Sequence, residues 1–510
     1  MTILNTLDSL KYAYPETALA FVLVLVILLD LVPAIRQRRI AMTMTITGLL
    51  LTLIATLVHI YVLDRGGNPH AGYSLFHGMI VFSRFTLFFK VIFVLTALLV
   101  ALFSIRNPLV KAAGEGEYCT LLLTGTLGCF LMAAASDFLM VYLSIELVSI
   151  ASYVMVGFYR KDRKSAEAAL KYVIYGAVAS GLMIFGLSFL YGLAGSTQYG
   201  QVYAALAAKS QGGAVSTVSF VFSFLLVLAG FGYKIACFPF HMWCPDVYEG
   251  APTPITAFLS VGPKAAGIAA LVQFFYANLS VPGAGGTFHA LAGTHWPWVL
   301  ALVSVATMTV GNLGAVPQTN VKRMLAYSSI AHAGYLLMPF VMMTNEGLQG
   351  ILLYLVVYLL MNMGAFLALI AVAEKGGGEE LKDFRGLGWK CPTVAVPMAI
   401  FLFSLTGLPP LAGFIGKVWL FMPVIEGKWY WLAVAGVLNS VVSLYYYAKV
   451  VRAMFLEGIP SSSAPPERIL VPALYSVLLW ALAVPTVGFG IFFGGLSELA
   501  KKSAQLYLGH

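Results

Sequence analysis

Five ionisable side chains stand near the middle of long apolar stretches. They are Glu146 in "VYLSIELVSIASY", Lys234 in "FGYKIACFPFHMW", Lys264 in "FLSVGPKAAGIAAL", His332 in "SSIAHAGYLL" and Lys417 in "GFIGKVWLF". His241 follows Lys234 by seven residues. A carboxylate, an amine and an imidazole can each take up and release a proton, and none of that chemistry requires a redox centre. A charge at the centre of a membrane helix costs about 2.5–3.5 kcal/mol, so the four charged residues together represent about 10 kcal/mol if unpaired. A cost of that size calls for a task. The competing reading is snorkelling, in which a long amine reaches the interface from near a helix end. It fits Lys264, Lys234 and Glu146 worst. Lys417, nearer an end, is open to it, and at Lys90 and Lys449 it is the better reading. His332 is equally compatible with a satisfied polar packing residue.

Pro239 lies between Lys234 and His241. It removes a backbone donor and obstructs the carbonyl one turn earlier, so the helix breaks and frees polar groups that only protein or trapped water can satisfy. The expected result is a wet pocket within the bilayer, faced by both Lys234 and His241 if the break does not rotate them apart. A buried amine responds to desolvation and to nearby carboxylates, which makes it switchable. Glu146 is the carboxylate nearest a span centre and the expected partner of Lys234.

The elements that position these groups are read from composition. Of 510 residues 60% are hydrophobic and only 10% charged, which excludes an ordinary soluble domain. Fourteen apolar runs recur, at about 15–34, 41–62, 83–105, 117–136, 138–158, 168–193, 217–242, 253–279, 297–316, 323–343, 347–373, 393–422, 430–451 and 469–494. The expected fold class is an all-α polytopic membrane protein of about 14 transmembrane helices. The first run, "ALAFVLVLVILLD", has neither a cationic region before it nor a small-residue cleavage site after it, so it reads as a retained span. The five cysteines form no CxxC pair and read as packing residues. The loops after odd-numbered runs carry seventeen Lys and Arg, including Arg36, Arg38, Arg39, Lys111, Lys375 and Arg468, against seven on the other side. By the positive-inside rule the odd loops are cytoplasmic and both termini face the other compartment. The net charge of +9 is therefore mainly a topology signal, with no pattern that argues for nucleic acid.

The chain also repeats. "LKYVIYGAVASG" (170–181) and "LYLVVYLLMNMG" (353–364) share Leu, Val, Tyr and Gly, and each precedes a proline-broken span, at Pro239 and at Pro409–Pro410. Two units of five spans each must insert in opposite senses, and inverted repeats with broken helices mark ion transporters. The resulting division is an N-terminal three-helix segment (1–116), a first repeat (117–280), a second inverted repeat (281–456) and a C-terminal helix and tail (457–510).

At Glu146, Lys234, Lys264, "KRMLAYSSIAHAGYLL" (322–337) and "SLTGLPPLAGFIGK" (404–417) the sequence resembles the antiporter-like membrane subunits of respiratory complex I and of multisubunit cation/proton antiporters. The resemblance runs from "YPETALAF" to the last span. Lys417 is similar to the branch with lysine there, rather than to a sister with glutamate, and the long lateral extension of the largest sister is missing. The resemblance implies fourteen helices, two inverted five-helix repeats and a proton half-channel in each. It implies that Glu146, Lys234, His241, Lys264, His332 and Lys417 form the proton pathway of a proton-translocating NADH-quinone oxidoreductase in the cell inner membrane. This chain is expected to hold no cofactor or metal, with NADH, FMN, iron–sulfur clusters and quinone on partner subunits. The expected partners are other membrane subunits, the lipid bilayer, protons and internal water. Alternatives are a subunit of a cation/proton antiporter or membrane hydrogenase, and a structural membrane subunit. The stretch 194–216 is not specified by any of these patterns.

Overall fold

The computed structural model describes residues 4–33, 40–65, 72–107, 110, 114–211, 217–291, 294–374, 377–458 and 469–506. Its main helices are α1 (Tyr14–Asp30), α2 (Ile40–Arg65), α3 (Arg84–Ser104), α4 (Glu115–Ala134), α5 (Phe138–Val156), α6 (Arg163–Ala194), α7 (Thr217–Ile235) and α8 (Trp243–Gly250). They continue with α9 (Thr253–Leu279), α10 (Trp296–Ala315), α11 (Val321–Phe340), α12 (Asn345–Ala373), α13 (Pro392–Thr406), α14 (Ala412–Glu426), α15 (Tyr430–Leu456) and α16 (Ala473–Ile491). Each of the fourteen apolar runs coincides with one of these helices, except that 217–242 covers α7 and the break after it and 393–422 covers the broken pair α13–α14.

Among the described residues, ten helices are long and apolar enough to cross a membrane, or eleven if a bent pair is one span. The difference from fourteen has physical causes. The helix α1 is only 17 residues long, α11 is diluted by Lys322, Arg323 and its serines, and the proline breaks divide two runs. The helices are apolar around most of their circumference, so burial is set by position in the bundle. The segment α9 is buried along its length and α12 nearly so, whereas most residues of α2 and α16 are only partly buried or exposed. The two central helices pack on each other, α9 also against α3 and α4, and α12 against α13 and α14. Side-chain caps start several elements: Asp137 accepts from Leu139 N, Asp162 from Lys164 N, Asn320 from Arg323 N and Thr344 from Gly347 N.

Two departures from the expectation lie in loops. Antiparallel hairpins of three-residue strands, Tyr73–Leu75 with Ile80–Phe82 and Ser280–Pro282 with Phe288–Ala290, follow α2 and α9. Strands this short decorate a helical membrane fold without spanning it. The unspecified stretch contains a helix, Tyr199–Gln211, packed on α6 and α9. Arg36, Arg38, Arg39, Lys111, Lys375 and Arg468 lie outside the described residues. All five cysteines are free and buried.

Both breaks are real and are built alike. Ala236 with φ 58° follows α7, and Gly407 with φ 90° follows α13. A left-handed residue at that place ends a helix. The chain then runs through Pro239, or Pro409 and Pro410, before α8 or α14 begins. The backbone groups freed in this way find side chains: Phe238 N donates to Thr307 Oγ1 of α10 (2.9 Å), and Gly413 N to Ser404 Oγ (3.0 Å). Because residues 236–242 leave the helix, the two-turn spacing between Lys234 and His241 does not place them on one face.

Candidate functional site

Lys234, in the last turn of α7, is 2% exposed. Its ammonium donates to Ser149 Oγ on α5 at 2.9 Å. Glu146 is one turn away on the same helix and half-buried, yet among the described residues it makes no ion pair with Lys234, and its Oε1 has no hydrogen-bond partner. The expected Glu146–Lys234 contact is therefore replaced by a serine contact. An amine that reaches Ser149 leaves the neighbouring carboxylate unpaired. His241, in the break, stacks on Phe238 and its Nδ1 also lacks a partner.

The helix α9 runs directly beneath Lys234. A Cβ at Gly267 would stand 3.3 Å from Lys234 Cγ and 2.8 Å from Ile235 Cγ2, so the absence of a side chain allows α7 and α9 to meet here. Lys264 is one turn away on α9. Its ammonium donates to Ser329 Oγ of α11 at 2.5 Å and lies 5.6 Å from the ring centre of Tyr248 in α8. No hydrogen bond among the described residues links Lys234 to Lys264.

Beyond Lys264 the polar groups are dense. Tyr358 of α12 donates its hydroxyl to Ser329 Oγ at 2.9 Å. His332, one turn along α11, is fully enclosed by tyrosines. Its Nδ1 meets Tyr354 Oη at 2.6 Å, its Nε2 meets Tyr447 Oη at 3.3 Å, and its ring packs on Tyr358 and Tyr335. Tyr447 in turn bonds Ser328. Ser440 of α15 donates to Tyr335 Oη at 3.4 Å and accepts from Lys417 at 3.1 Å. Lys417 also caps the carbonyl of Thr406 at 2.7 Å, reaching back across the break to the end of α13, and sits 4.7 Å above the Tyr335 ring. Its contacts and its 5% exposure exclude snorkelling. A Cβ at Gly407 would lie 2.8 Å from Lys417 Cδ, so the glycine supplies both the turn and the room.

The structure thus brings Lys264, His332 and Lys417 into one tyrosine- and serine-lined row, and places Lys234 and Glu146 beside it without a direct bond. Sequence reasoning missed the hydroxyls that contact these groups, on Ser149, Ser329, Tyr335, Tyr354, Tyr358, Ser440 and Tyr447. Their only sequence signal is that hydroxyls recur on apolar helices, as in "LAYSSIAHAGY" and "SLYYY". It also misjudged Lys90, which is not snorkelling. Lys90 is 1% exposed and pairs with Glu16 of α1 at 2.5 Å. Lys449, half-buried, donates to the Gln318 carbonyl beyond the end of α10, as suits a residue near a helix end.

Comparison with known proteins identifies the architecture around this row. The family model described as "NADH:quinone oxidoreductase/Mrp antiporter, TM" matches residues 135–443, which include all of the groups above except Lys90, Glu16, Tyr447 and Lys449. The chain belongs to this family. A relative from Anaeromyxobacter sp. (strain Fw109-5), named NADH-quinone oxidoreductase subunit N, is 46% identical over 99% of this chain and 98% of its own length. Another, subunit N 2 of Sorangium cellulosum (strain So ce56), is also 46% identical over 99% of each chain. Among solved structures, a chain of respiratory complex I from Thermus thermophilus superposes with a TM-score of 0.76 at 29% identity, over 96% of this chain and 99% of that one. A chain of the Mrp complex from Dietzia sp. DQ12-45-1b reaches a TM-score of 0.80 at 22% identity, over 97% of each chain, which shows the shared fold alone.

Proposed function

We propose that this chain is a membrane subunit of a proton-translocating NADH:quinone oxidoreductase and carries protons along the Glu146, Lys234, Lys264, His332 and Lys417 row. The observation that supports this most is the run of groups from Lys264 through Ser329, Tyr358, His332, Tyr335 and Ser440 to Lys417, framed by two broken helices. Every member accepts or donates a proton or holds one that does. Where the run passes through ring contacts, and between Lys234 and Lys264, bridging water would complete it. Glu146 Oε1, His241 Nδ1 and Asn362 Oδ1 are the buried atoms best placed to hold such water.

On this reading the fourteen apolar helices all span the membrane, as two inverted five-helix repeats (117–280 and 281–456) between the N-terminal segment 1–116 and the C-terminal segment 457–510. The odd loops face the cytoplasm and both termini the opposite side. Flavin, iron–sulfur clusters and the quinone site belong to partner subunits, and this chain supplies proton movement without a redox centre of its own. Purification in mild detergent tests the reading. Flavin- and iron–sulfur-containing partners should co-purify, with NADH oxidation by quinone coupled to proton uptake into vesicles. Recovery with hydrogenase partners, or with cation/proton antiport and no NADH oxidation, would assign the chain to another complex of the family.

A further inference from the structure

The short helix α8 lies between the break after Lys234 and the helix that carries Lys264, and it is held by charges from two neighbouring helices. Asp246 accepts from Lys171 of α6 at 2.8 Å and from Arg323 of α11 at 2.6 Å. Glu249 accepts from the same Arg323 at 3.0 Å and from Lys164 of α6 at 3.4 Å. Lys322, buried beside Arg323, donates to the carbonyls of Glu249 and Ala251 at 3.2 and 2.7 Å and pairs with Glu379 at 3.0 Å. Cations at the carboxyl end of a helix are well placed for its unpaired carbonyls and its dipole. Between the two carboxylates, one residue before Glu249, stands Tyr248, whose ring lies against the Lys264 ammonium.

We propose that this cluster is a positioning clamp: Arg323, with Lys322, Lys164 and Lys171, fixes α8 through Asp246 and Glu249 and so sets the Tyr248 ring against Lys264. The inference rests on the reading of Lys264 as a proton carrier. Four features support it. The charges come from α6 and α11, both packed against α8. Eight residues between a proline break and the Ala251–Pro252 turn have little internal helix to hold them. A cavity of about 160 Å³ opens at the same place, lined by Lys164, Lys171, Asp246, Glu249 and Arg323 among others, so water reaches the clamp. Arg323, Asp246 and Glu249 are each about a quarter to a third exposed, so their interaction responds to ionic strength.

The test uses the assembled complex in vesicles, reading protons moved per NADH oxidised. Arg323→Gln should lower that ratio by about tenfold, because a misplaced group one contact away disables a relay of this kind. Arg323→Lys should retain more than half, since it keeps the charge with one contact fewer. A residue that acts through Tyr248 leaves a further signature: in a Tyr248→Leu background Arg323→Gln should add no further loss, whereas a merely structural arginine gives losses that add. Raising salt from low to high concentration should depress coupling in the wild type, and less in Arg323→Gln, which retains only the Lys171 and Lys164 pairs. If Arg323→Gln fails to assemble, the salt series and Arg323→Lys decide. Salt-insensitive wild-type coupling, or additive losses with Tyr248→Leu, overturns the clamp. Lys264→Ala separates the two readings: if it is silent, the proton-carrier reading falls. If it abolishes coupling while Arg323→Gln is silent, only the clamp falls.

Discussion

Lys90 and Lys234 are both amines sealed inside the bundle, in different regions, and they are solved in opposite ways. In the N-terminal segment, Lys90 meets a carboxylate, Glu16, at 2.5 Å. Beside the first break, Lys234 meets, among the described residues, only the hydroxyl of Ser149, while Oε1 of Glu146 one turn away has no hydrogen-bond partner. A matched buried pair holds its charges in place, and removing one member leaves the other stranded. An amine with a neutral partner and a spare carboxylate nearby has a second arrangement within reach. Burial of a charge therefore does not by itself mark a proton carrier. What distinguishes the two regions is whether the charge already has its counter-ion.

The sharpest way to break this comparison is to remove one member of the N-terminal pair. Lys90→Met should destabilise the protein by about 3–5 kcal/mol by stranding Glu16, and Lys90→Met with Glu16→Leu should recover most of that. Complex abundance on native gels reads the effect. Protons moved per NADH in whatever complex remains should match the wild type. A lowered ratio in the double variant would make Lys90 part of the pathway and erase the distinction.

Lys234→Ala is expected to do the reverse. Loss of an acid–base group on a proton route should lower pumping per turnover by about a hundredfold, the low end of what such groups supply. Assembly should be spared, because only one hydrogen bond, to Ser149, is lost. Normal coupling in a fully assembled Lys234→Ala complex would remove Lys234 from the route.

The two regions also differ in how much of them is readable from sequence. The helical runs, both proline breaks and the central lysines follow from apolar length and from the cost of a buried charge, each a local property of the chain. The partner of Lys90 lies 74 positions earlier in the sequence, so nothing local to "FFKVIF" distinguishes a paired lysine from a snorkelling one. The same holds for Ser149 and Glu146. Both sit on α5 within one turn, and only the packing of α7 decides which of them receives the amine. The tyrosine enclosure of His332 draws on α11, α12 and α15, which meet only in the folded bundle.

Glu146 sharpens the comparison at smaller amplitude. If its unpaired carboxylate offers Lys234 the alternative arrangement, Glu146→Gln should reduce coupling by about three- to tenfold, since an amide can accept a hydrogen bond but cannot supply the charge. Glu146→Asp should keep a good part of it, because a shorter carboxylate can still pair through water. Equal coupling in the two variants, measured in vesicles at matched NADH oxidation, would mean that shape rather than charge is needed at this position.

Lys417 carries the smallest expected effect and tests whether the second break follows the rule of the first. Like Lys234, it has no carboxylate partner and is held by Thr406 O and Ser440 Oγ. Unlike Lys234, it also caps a carbonyl at the end of a broken helix, so part of its value is structural. Losing one such bond costs about 1–3 kcal/mol if the carbonyl remains buried and unmet. Lys417→Ala should therefore lower both complex abundance and coupling, the latter by a few fold. Lys417→His separates the two contributions: it keeps an ionisable group near Ser440 and Tyr335 but is too short to cap Thr406. The expected outcome is reduced abundance with coupling per complex largely retained. Should Lys417→His lose coupling as fully as Lys417→Ala while abundance holds, the amine's reach to Thr406, rather than its capacity to exchange a proton, is what the second half requires.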